Sequence, residues 1–173
     1  MRDIIERARA IRMVIFDVDG VLTDGSLFLG DDGQEYKAFY SRDGHGMKML
    51  QASGVSIGVI TGRSSEVVRI RMQSLGVEHV YQGRLDKLPA YNELRERTGF
   101  ADHEVAYVGD DVMDLPVMRV VGLAIAVGDA HPLVRTHAHW LAPSPGGRGA
   151  ARDVCELIME AQGTLDAALA HYL

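Results

Sequence analysis

Short apolar runs alternate with segments of helical character along most of the chain. We predict strands at 12–16, 56–60, 104–108 and 122–127, with weaker candidates at 78–81 and 139–142. Helices are predicted at 44–53, 64–75, 85–98 and 111–121, and the first three end beside a glycine. Strands and helices that alternate at this spacing are typical of a parallel sheet covered on both faces. The pattern therefore predicts an α/β fold with a doubly wound, Rossmann-like parallel sheet.

One segment interrupts this alternation. Residues 26–40, SLFLGDDGQEYKAFY, predict a small β-hairpin around Asp31-Asp32-Gly33, because Asp-Gly between apolar runs is a strong hairpin signal. Apolar side chains fall on both faces of each predicted strand. An isolated hairpin is marginal in water, so this one must dock either onto its own domain or onto another subunit. The pattern leaves both possibilities open.

Composition indicates an ordinary globular protein and excludes several classes. The 173 residues are 47% hydrophobic and 24% charged, which suits one domain spanning 1–173. A net charge of −6 without a basic face argues against a nucleic-acid partner. No apolar run is long enough to span a membrane, and the single cysteine, Cys155, cannot form an internal disulfide. The N-terminal segment is predicted as a short amphipathic helix rather than a secretory signal, so we expect a cytoplasmic protein.

Polar residues follow three of the predicted strands at the point where each strand ends. The first strand stops at Asp17 and Asp19, and the adjacent Gly20 permits a tight turn. The strands at 56–60 and 104–108 are followed by Thr61-Gly62-Arg63 and Gly109-Asp110-Asp111. Lys87 lies near the start of the helix at 85–98. The carboxyl ends of the strands in a doubly wound sheet face one crevice. We therefore expect these groups to lie together.

These residue types fit a phosphoryl transfer assisted by a divalent cation. Asp17 can act as a nucleophile and form an aspartyl-phosphate, and Asp19 can donate and accept the proton. Mg2+ prefers oxygen ligands, for which Asp17 and Asp110 are the best side-chain candidates. Thr61 supplies a hydroxyl group for the phosphate oxygens, and Lys87 supplies a positive charge for those oxygens or for Asp17.

Simpler structural explanations exist for the same residues. The first two carboxylates could be solvated acids at a strand end, and Lys87 alone would be an ordinary helix lysine. Thr61 and Gly62 could belong to a helix N-cap. Asp111 and Asp114 could be first-turn acids that complement a helix dipole. The occurrence of four such polar groups in one order favours the catalytic interpretation.

In this order the motifs resemble those of the haloacid dehalogenase superfamily of phosphatases. DVDGVLTDG resembles the first motif, Thr61 the second, Lys87 the third and GDDVMD the fourth. The resemblance implies that Asp17 is the nucleophile and Asp19 the general acid and base. It also implies that Mg2+ is held by the carboxylates of Asp17 and Asp110 and by the backbone carbonyl of Asp19, with Thr61 and Lys87 on the phosphoryl group.

A narrower resemblance involves the subclass of this superfamily without a cap domain. The 25 residues between Thr61 and Lys87 leave no room for a folded cap. The segments FYSRDGHGMKML, YQGRLDK and GGRGAARDVCELI are similar to those of phosphatases that cleave 3-deoxy-D-manno-octulosonate 8-phosphate, a lipopolysaccharide precursor. This resemblance implies a small-molecule sugar-acid phosphate as substrate and a homotetramer in which the hairpins meet.

The same resemblance implies further substrate-binding residues. Arg42, Asp43 and Gly44 would lie near the substrate, with Arg63 beside the second motif. Arg148 would lie on a segment near the site, at 146–149. Independently, SPGGRG is typical of a loop before a helix, and its guanidinium could pair with a carboxylate or phosphate.

Three alternative functions are weighed against this one. A relative that cleaves nine-carbon, sialic-acid-type 9-phosphates would carry similar motifs, and one added carbon changes binding by only about 1–3 kcal/mol. A receiver-like signalling domain also combines Asp, Thr, Lys and Mg2+, but it lacks a second acid such as Asp19 beside its nucleophile. A non-catalytic oligomer would not need these reactive residues.

His137 and His139 are two residues apart, and we predict exposed strand histidines rather than a zinc pair.

Overall fold

A six-stranded parallel sheet forms the centre of the computed structural model, which describes residues 2–170 and 172–173. The strands are β1 (Met13–Phe16), β2 (Phe28–Leu29), β3 (Glu35–Tyr36), β4 (Ser56–Ile60), β5 (His79–Tyr81), β6 (Val105–Gly109), β7 (Leu123–Ala126) and β8 (Trp140–Leu141). The helices are α1 (Arg2–Ala10), α2 (Ser41–Ala52), α3 (Glu66–Leu75), α4 (Lys87–Thr98), α5 (Leu115–Met118), α6 (Pro132–His137), α7 (Ala150–Gln162) and α8 (Leu165–Ala170). Short 3-10 turns lie at Asp102–Glu104 and Val112–Asp114.

The strand order places the ends of β1 and β6 at the middle of the sheet. The order is β5-β4-β1-β6-β7-β8, so the chain builds outward from β1 to β5 and then returns to the other side of β1. Met13 pairs with Ser56 of β4 and with Val105 of β6, and every residue of β1 is buried, as expected for a strand covered on both faces. The direction of strand succession reverses between β1 and β6. The loops after these two strands therefore border the crevice of the sheet.

Helices cover the sheet in two groups. The helices α1, α2 and α7 pack together, and α4 packs against α5. Between residues 2 and 170, no helix combines the length and the apolar character that a membrane span requires.

The predicted α/β fold with a parallel sheet is confirmed, and all six predicted sheet strands occur within one residue of their expected bounds. Two of the four predicted helices differ from the prediction by more than two residues. The helix predicted at 44–53 begins at Ser41, and the segment 111–121 is divided into the 3-10 turn Val112–Asp114 and α5. Pro116 interrupts the helix there because it has no N–H group to bond with the carbonyl of Val112.

The prediction that His137 and His139 share one strand face is wrong. His137 is the last residue of α6, a helix that was not predicted, and it contacts the carbonyl oxygen of Leu133 at 2.8 Å. His139 precedes β8, where its Nδ1 accepts a hydrogen bond from the amide of Ala124 at 2.9 Å. Pro132 at the first position of α6 was the available signal for this helix.

The predicted hairpin is present, and it is short. Phe28 pairs with Tyr36 and Leu29 with Glu35 in antiparallel register. The side chains of Phe28, Leu29 and Tyr36 remain 54%, 67% and 58% exposed, whereas Phe39 packs against the core. Docking onto its own domain therefore leaves much of the apolar surface of this hairpin uncovered.

Candidate active site

The first carboxylate of the site lies directly after the buried strand β1. The amide of Asp17 donates to the carbonyl of Val108 at 3.1 Å, which continues the sheet pairing by one residue. The side chain of Asp17 is buried, and its Oδ1 accepts a hydrogen bond from the amide of Val18 at 2.7 Å. Its Oδ2 lies 2.7 Å from the Nζ atom of Lys87. The sheet therefore fixes one oxygen of Asp17, and a buried cation contacts the other.

Lys87 is the first residue of α4, and its side chain is 2% exposed. The preceding residue, Asp86, caps this helix by accepting a hydrogen bond from the amide of Leu88. The Nζ atom of Lys87 donates to Asp114 Oδ1 at 2.6 Å in addition to Asp17. A buried ammonium group is expensive to desolvate unless it is paired, so these two carboxylates explain its position.

Asp114 has a structural role that sequence reasoning missed. Its Oδ1 accepts hydrogen bonds from Lys87 and from the hydroxyl of Tyr107, at 2.6 and 2.7 Å. Its Oδ2 accepts from the amides of Asp110 and Asp111, at 2.9 and 3.2 Å. Asp114 is thus fully buried and orients both Lys87 and the loop after β6, rather than complementing a helix dipole in solvent. The three-residue spacing from Asp111 to Asp114, which resembles a capping box, was the available signal.

Three carboxylates converge at this point. One oxygen each from Asp17, Asp110 and Asp114 lies within 4.8 Å of the other two. Burial, followed by the nearby charge of Asp114, raises the pKa of Asp17 to about 6. Burial and then the charges of Asp114 and Asp17 raise the pKa of Asp110 to about 8. Burial would lower the pKa of Lys87, but the two adjacent carboxylates raise it. One lysine therefore faces three acids, and negative charge is in excess.

The donor set at this cluster fits a hard divalent cation. Oδ1 of Asp110 is buried and has no hydrogen-bond partner among the described residues, which is costly for a carboxylate unless a ligand completes it. Carboxylate oxygens are the ligands that Mg2+ prefers. The backbone of Gly20 approaches Asp110 closely, since a Cβ atom at this glycine would lie 2.1 Å from Oδ2. Asp17 and Asp110 can therefore hold Mg2+ together, as the sequence predicts.

The second acid of the first motif is held by a residue of the hairpin. Lys37 contacts Asp19 Oδ1 at 2.5 Å and Glu35 Oε1 at 3.3 Å, and its side chain is 1% exposed. Glu35 also accepts a hydrogen bond from the guanidinium of Arg63 at 3.0 Å. Sequence reasoning missed Lys37 and Glu35. The signal was their two-residue spacing on either side of Tyr36, which places both charges on one face of a strand.

The remaining strand end also contributes to the cleft. Thr61 is buried at the end of β4, where its amide donates to the carbonyl of Tyr81 at 2.9 Å and its carbonyl accepts from the amide of Arg84 at 3.0 Å. The cleft has a volume of about 200 Å³. The candidate residues that line it are Asp17, Asp19, Thr61, Gly62, Arg63, Lys87 and Asp110. The structure thus brings together the residues of all four predicted motifs.

The structure does not bring Arg42, Asp43 or Gly44 into this cleft. Both oxygens of the buried Asp43 are occupied, by the amide of Gly149 at 3.3 Å and by the amide of Arg152 at 2.9 Å. Asp43 therefore caps the N-terminus of α7 from the first turn of α2. Gly44 is buried, and Arg42 is exposed and stacks over the ring of Tyr40. The predicted helix at 44–53 includes Gly44, whereas Arg42 and Asp43 also belong to the first turn of α2, which packs against α7.

Arg148 also lies outside the lining of the cleft, but its segment packs on the loop that follows β1. The guanidinium is 61% exposed and lies 3.7 Å from the carboxylate of Asp24. The amide of Gly147 donates to the carbonyl of Val21 at 2.8 Å. A Cβ atom at Gly146 would lie 1.7 Å from the carbonyl oxygen of Gly20. The segment 145–149 therefore supports the loop that carries Asp19 and Gly20.

Comparisons with known proteins agree with this geometry. The sequence profile of the haloacid dehalogenase-like hydrolases matches residues 74–152. The 3-deoxy-D-manno-octulosonate 8-phosphate phosphatase KdsC of Escherichia coli strain K12 is 48% identical over 166 residues, covering 96% of this chain and 88% of that protein.

Solved structures of the same kind superpose over nearly the whole chain. One is the 3-deoxy-D-manno-octulosonate 8-phosphate phosphatase from Moraxella catarrhalis in complex with a magnesium ion, a phosphate ion and KDO. It has a TM-score of 0.98 and 40% identity, covering 100% of this chain and 99% of that one. The corresponding phosphatase from Yersinia pestis has a TM-score of 0.94 and 48% identity, covering 95% of this chain and 89% of that one.

Proposed function

Because this chain belongs to the KdsC family of haloacid dehalogenase-like phosphatases, we propose that it hydrolyses 3-deoxy-D-manno-octulosonate 8-phosphate to the free sugar acid and phosphate, with Mg2+ as cofactor. The observation that carries the proposal is the geometry around Asp17. This carboxylate contacts the buried ammonium of Lys87 at 2.7 Å and has an oxygen within 4.8 Å of one from Asp110, whose Oδ1 has no hydrogen-bond partner among the described residues. A nucleophile, a fixed cation and an incomplete carboxylate set in one cleft are what transfer of a phosphoryl group to a carboxylate requires.

Two aspartates share the covalent chemistry in this proposal. A carboxylate oxygen of Asp17 attacks phosphorus, the bond from phosphorus to the sugar oxygen breaks, and Asp19 donates its proton to that oxygen. Asp19 then removes a proton from water, whose oxygen attacks phosphorus. The bond to Asp17 breaks, which releases phosphate and regenerates both side chains.

The other residues hold the charges in place. Lys87 lies between Asp17 and Asp114, so its ammonium group offsets negative charge on the nucleophile and on the incoming phosphate without moving. The hydroxyl of Thr61 and the backbone around Gly62 bind phosphate oxygens. The carboxylates of Asp17 and Asp110 and the backbone carbonyl of Asp19 hold Mg2+. When bound, this ion would neutralise negative charge on the phosphate.

The assembly and the cellular role follow as further proposals. Phe28, Leu29 and Tyr36 are each more than half exposed, and this uncovered apolar surface supports a homotetramer in which the hairpins meet. We place the reaction in the cytoplasm, in the synthesis of the lipopolysaccharide precursor. Arg42 and Arg148, which are exposed outside the lining of the cleft, are candidate substrate contacts.

Phosphate release from a panel of sugar phosphates, with Mg2+ and with EDTA, tests the substrate and the cofactor. We expect Mg2+-dependent release and a preference for the eight-carbon acid over nine-carbon acid phosphates. A preference for nine-carbon acid phosphates would show that the proposed substrate is wrong. A long-lived aspartyl-phosphate after incubation with acetyl phosphate would indicate a receiver-like domain.

The variant Asp17→Asn tests the nucleophile. We expect turnover to fall by at least about 10³-fold while the circular dichroism spectrum stays unchanged. Asp31→Asn is the matched control, because this carboxylate is exposed in the hairpin turn and should not affect turnover. Near-normal activity of Asp17→Asn would contradict the proposed mechanism.

A further inference from the structure

The side chain of Lys37 is buried although it belongs to the hairpin, and the chemistry described so far gives it no role. Lys37 follows β3 and its side chain is 1% exposed, whereas Phe28, Leu29 and Tyr36 of the same hairpin are each more than half exposed. Desolvating an ammonium group is costly unless it is paired with negative charge. Its two partners are Asp19 and Glu35. The hairpin therefore delivers a buried cation to the second acid of the site.

Charged side chains lie on the inward face of the hairpin, and their contacts determine the position of Lys37. Glu35 is 14% exposed and contacts both Lys37 and the guanidinium of Arg63, which follows the strand end at Thr61. Burial would raise the pKa of Glu35, but hydrogen bonds involving Ser65, Arg63 and Lys37 lower it, so its carboxylate stays charged. The charged carboxylate of Glu35 therefore holds the ammonium group of Lys37 in place, and the same ammonium group contacts Asp19.

We propose that Lys37 is a positioning residue for the proton transfer, which rests on the role of Asp19 in the proposed function. Lys37 occupies Oδ1 of Asp19, and the described residues make no hydrogen bond to Oδ2. Lys37 thereby fixes the rotation of the carboxylate and leaves Oδ2 to donate its proton to the sugar oxygen. The side chain of Asp19 is 21% exposed, so without this contact it could rotate towards solvent. A general acid must lie within hydrogen-bond reach of the oxygen that it protonates.

The dependence on the leaving group separates this role from a structural one. An alkoxide leaving from a sugar phosphate needs a proton, whereas p-nitrophenolate leaves readily without one. The constant kcat/KM reports the steps up to alcohol release, before the hydrolysis of the aspartyl-phosphate that both substrates share. A residue that acts through Asp19 should therefore affect kcat/KM for the sugar phosphate far more than that for p-nitrophenyl phosphate.

The variant Lys37→Met tests the proposal on both substrates. We expect kcat/KM for the sugar phosphate to fall by about 10- to 100-fold and that for p-nitrophenyl phosphate by less than about 3-fold. Both are measured on one preparation, so their ratio is independent of the folded fraction. Lys37→Gln, which keeps a hydrogen-bond donor, should show a smaller change in this ratio. Lys48→Met removes an exposed lysine from α2 and should leave the ratio unchanged.

A double-mutant cycle completes the test. In an Asp19→Asn background, Lys37→Met should cause no further change in the ratio, because the residue through which it acts is already gone. Equal losses on both substrates, or losses that multiply in the double variant, would overturn the positioning role. A wild-type protein that cleaves p-nitrophenyl phosphate and no sugar phosphate would instead overturn the proposed function.

Discussion

Replacing Asp110 by asparagine should make the metal-free protein more stable and inactive. Asp110 is half-buried near Asp17 and Asp114, and its Oδ1 has no hydrogen-bond partner among the described residues. Asparagine has nearly the same shape and no charge, so Asp110→Asn removes repulsion and the penalty of desolvating a carboxylate. The charged form of Asp110 thus lowers the stability of the metal-free protein, and the same charge is what binds the ion.

The magnitude follows from the pKa of Asp110. Burial and the charges of Asp114 and Asp17 raise it from 3.8 to about 8. The carboxyl group of Asp110 therefore binds its proton more tightly in the folded state than in the unfolded state. Its contribution to the stability of the folded state is fully present below about pH 4 and is lost as the pH rises towards 8. Each pH unit in this window corresponds to about 1.4 kcal/mol. Partial solvent screening reduces the total, and we expect Asp110→Asn to add about 2–4 kcal/mol at pH 7.5.

Urea unfolding followed by the fluorescence of Trp140 measures this difference. In EDTA, we expect a higher midpoint for Asp110→Asn than for wild type, and a gap that narrows as pH is lowered towards 4. Mg2+ at 100 times its dissociation constant should stabilise the wild type by about 2.7 kcal/mol and leave the variant unchanged. The variant should also lose Mg2+-dependent turnover.

Asp111→Asn is the matched control for this experiment. Asp111 is the adjacent, exposed residue, and asparagine can preserve its hydrogen bond with the amide of Val112. This variant should unfold within about 0.5 kcal/mol of wild type in EDTA and should keep its response to Mg2+. If Asp110→Asn is no more stable than wild type in EDTA, the electrostatic account of the cluster is wrong.

Two further substitutions test the surroundings of the site. Lys87→Met leaves the buried Asp17 and Asp114 without their cation, so we expect a loss of about 3–5 kcal/mol in EDTA that Mg2+ partly restores; urea unfolding that matches wild type would contradict this. Gly146→Ala would place a methyl group 1.7 Å from the carbonyl of Gly20 and must displace the segment 145–149. We expect a loss of about 1–3 kcal/mol and a lower kcat, measured by thermal unfolding and phosphate release, and unchanged values would show that the contact is unimportant.

Most of the catalytic cluster could be predicted because it depends on local patterns. A buried strand such as β1 is an apolar run, and the carboxyl ends of parallel strands meet at one edge whatever their order in the chain. Asp17, Thr61 and Asp110 could therefore be placed together before any contact was known. The first three residues of α2, 41–43, were missed because Ser41 and Asp43 have low helix propensity, which the contacts of Asp43 with α7 override.

The amino-acid sequence by itself determined the alternation of strands and helices, the polar strand ends and hence the edge of the sheet where the chemistry is placed. Only the tertiary structure decided that Lys37 contacts Asp19, that Asp114 orients Lys87, and that Asp43 caps a helix more than a hundred residues away. The reason is physical. Strand and helix periodicities are properties of neighbouring residues, whereas the pairing of buried charges depends on which distant elements pack together when the core forms.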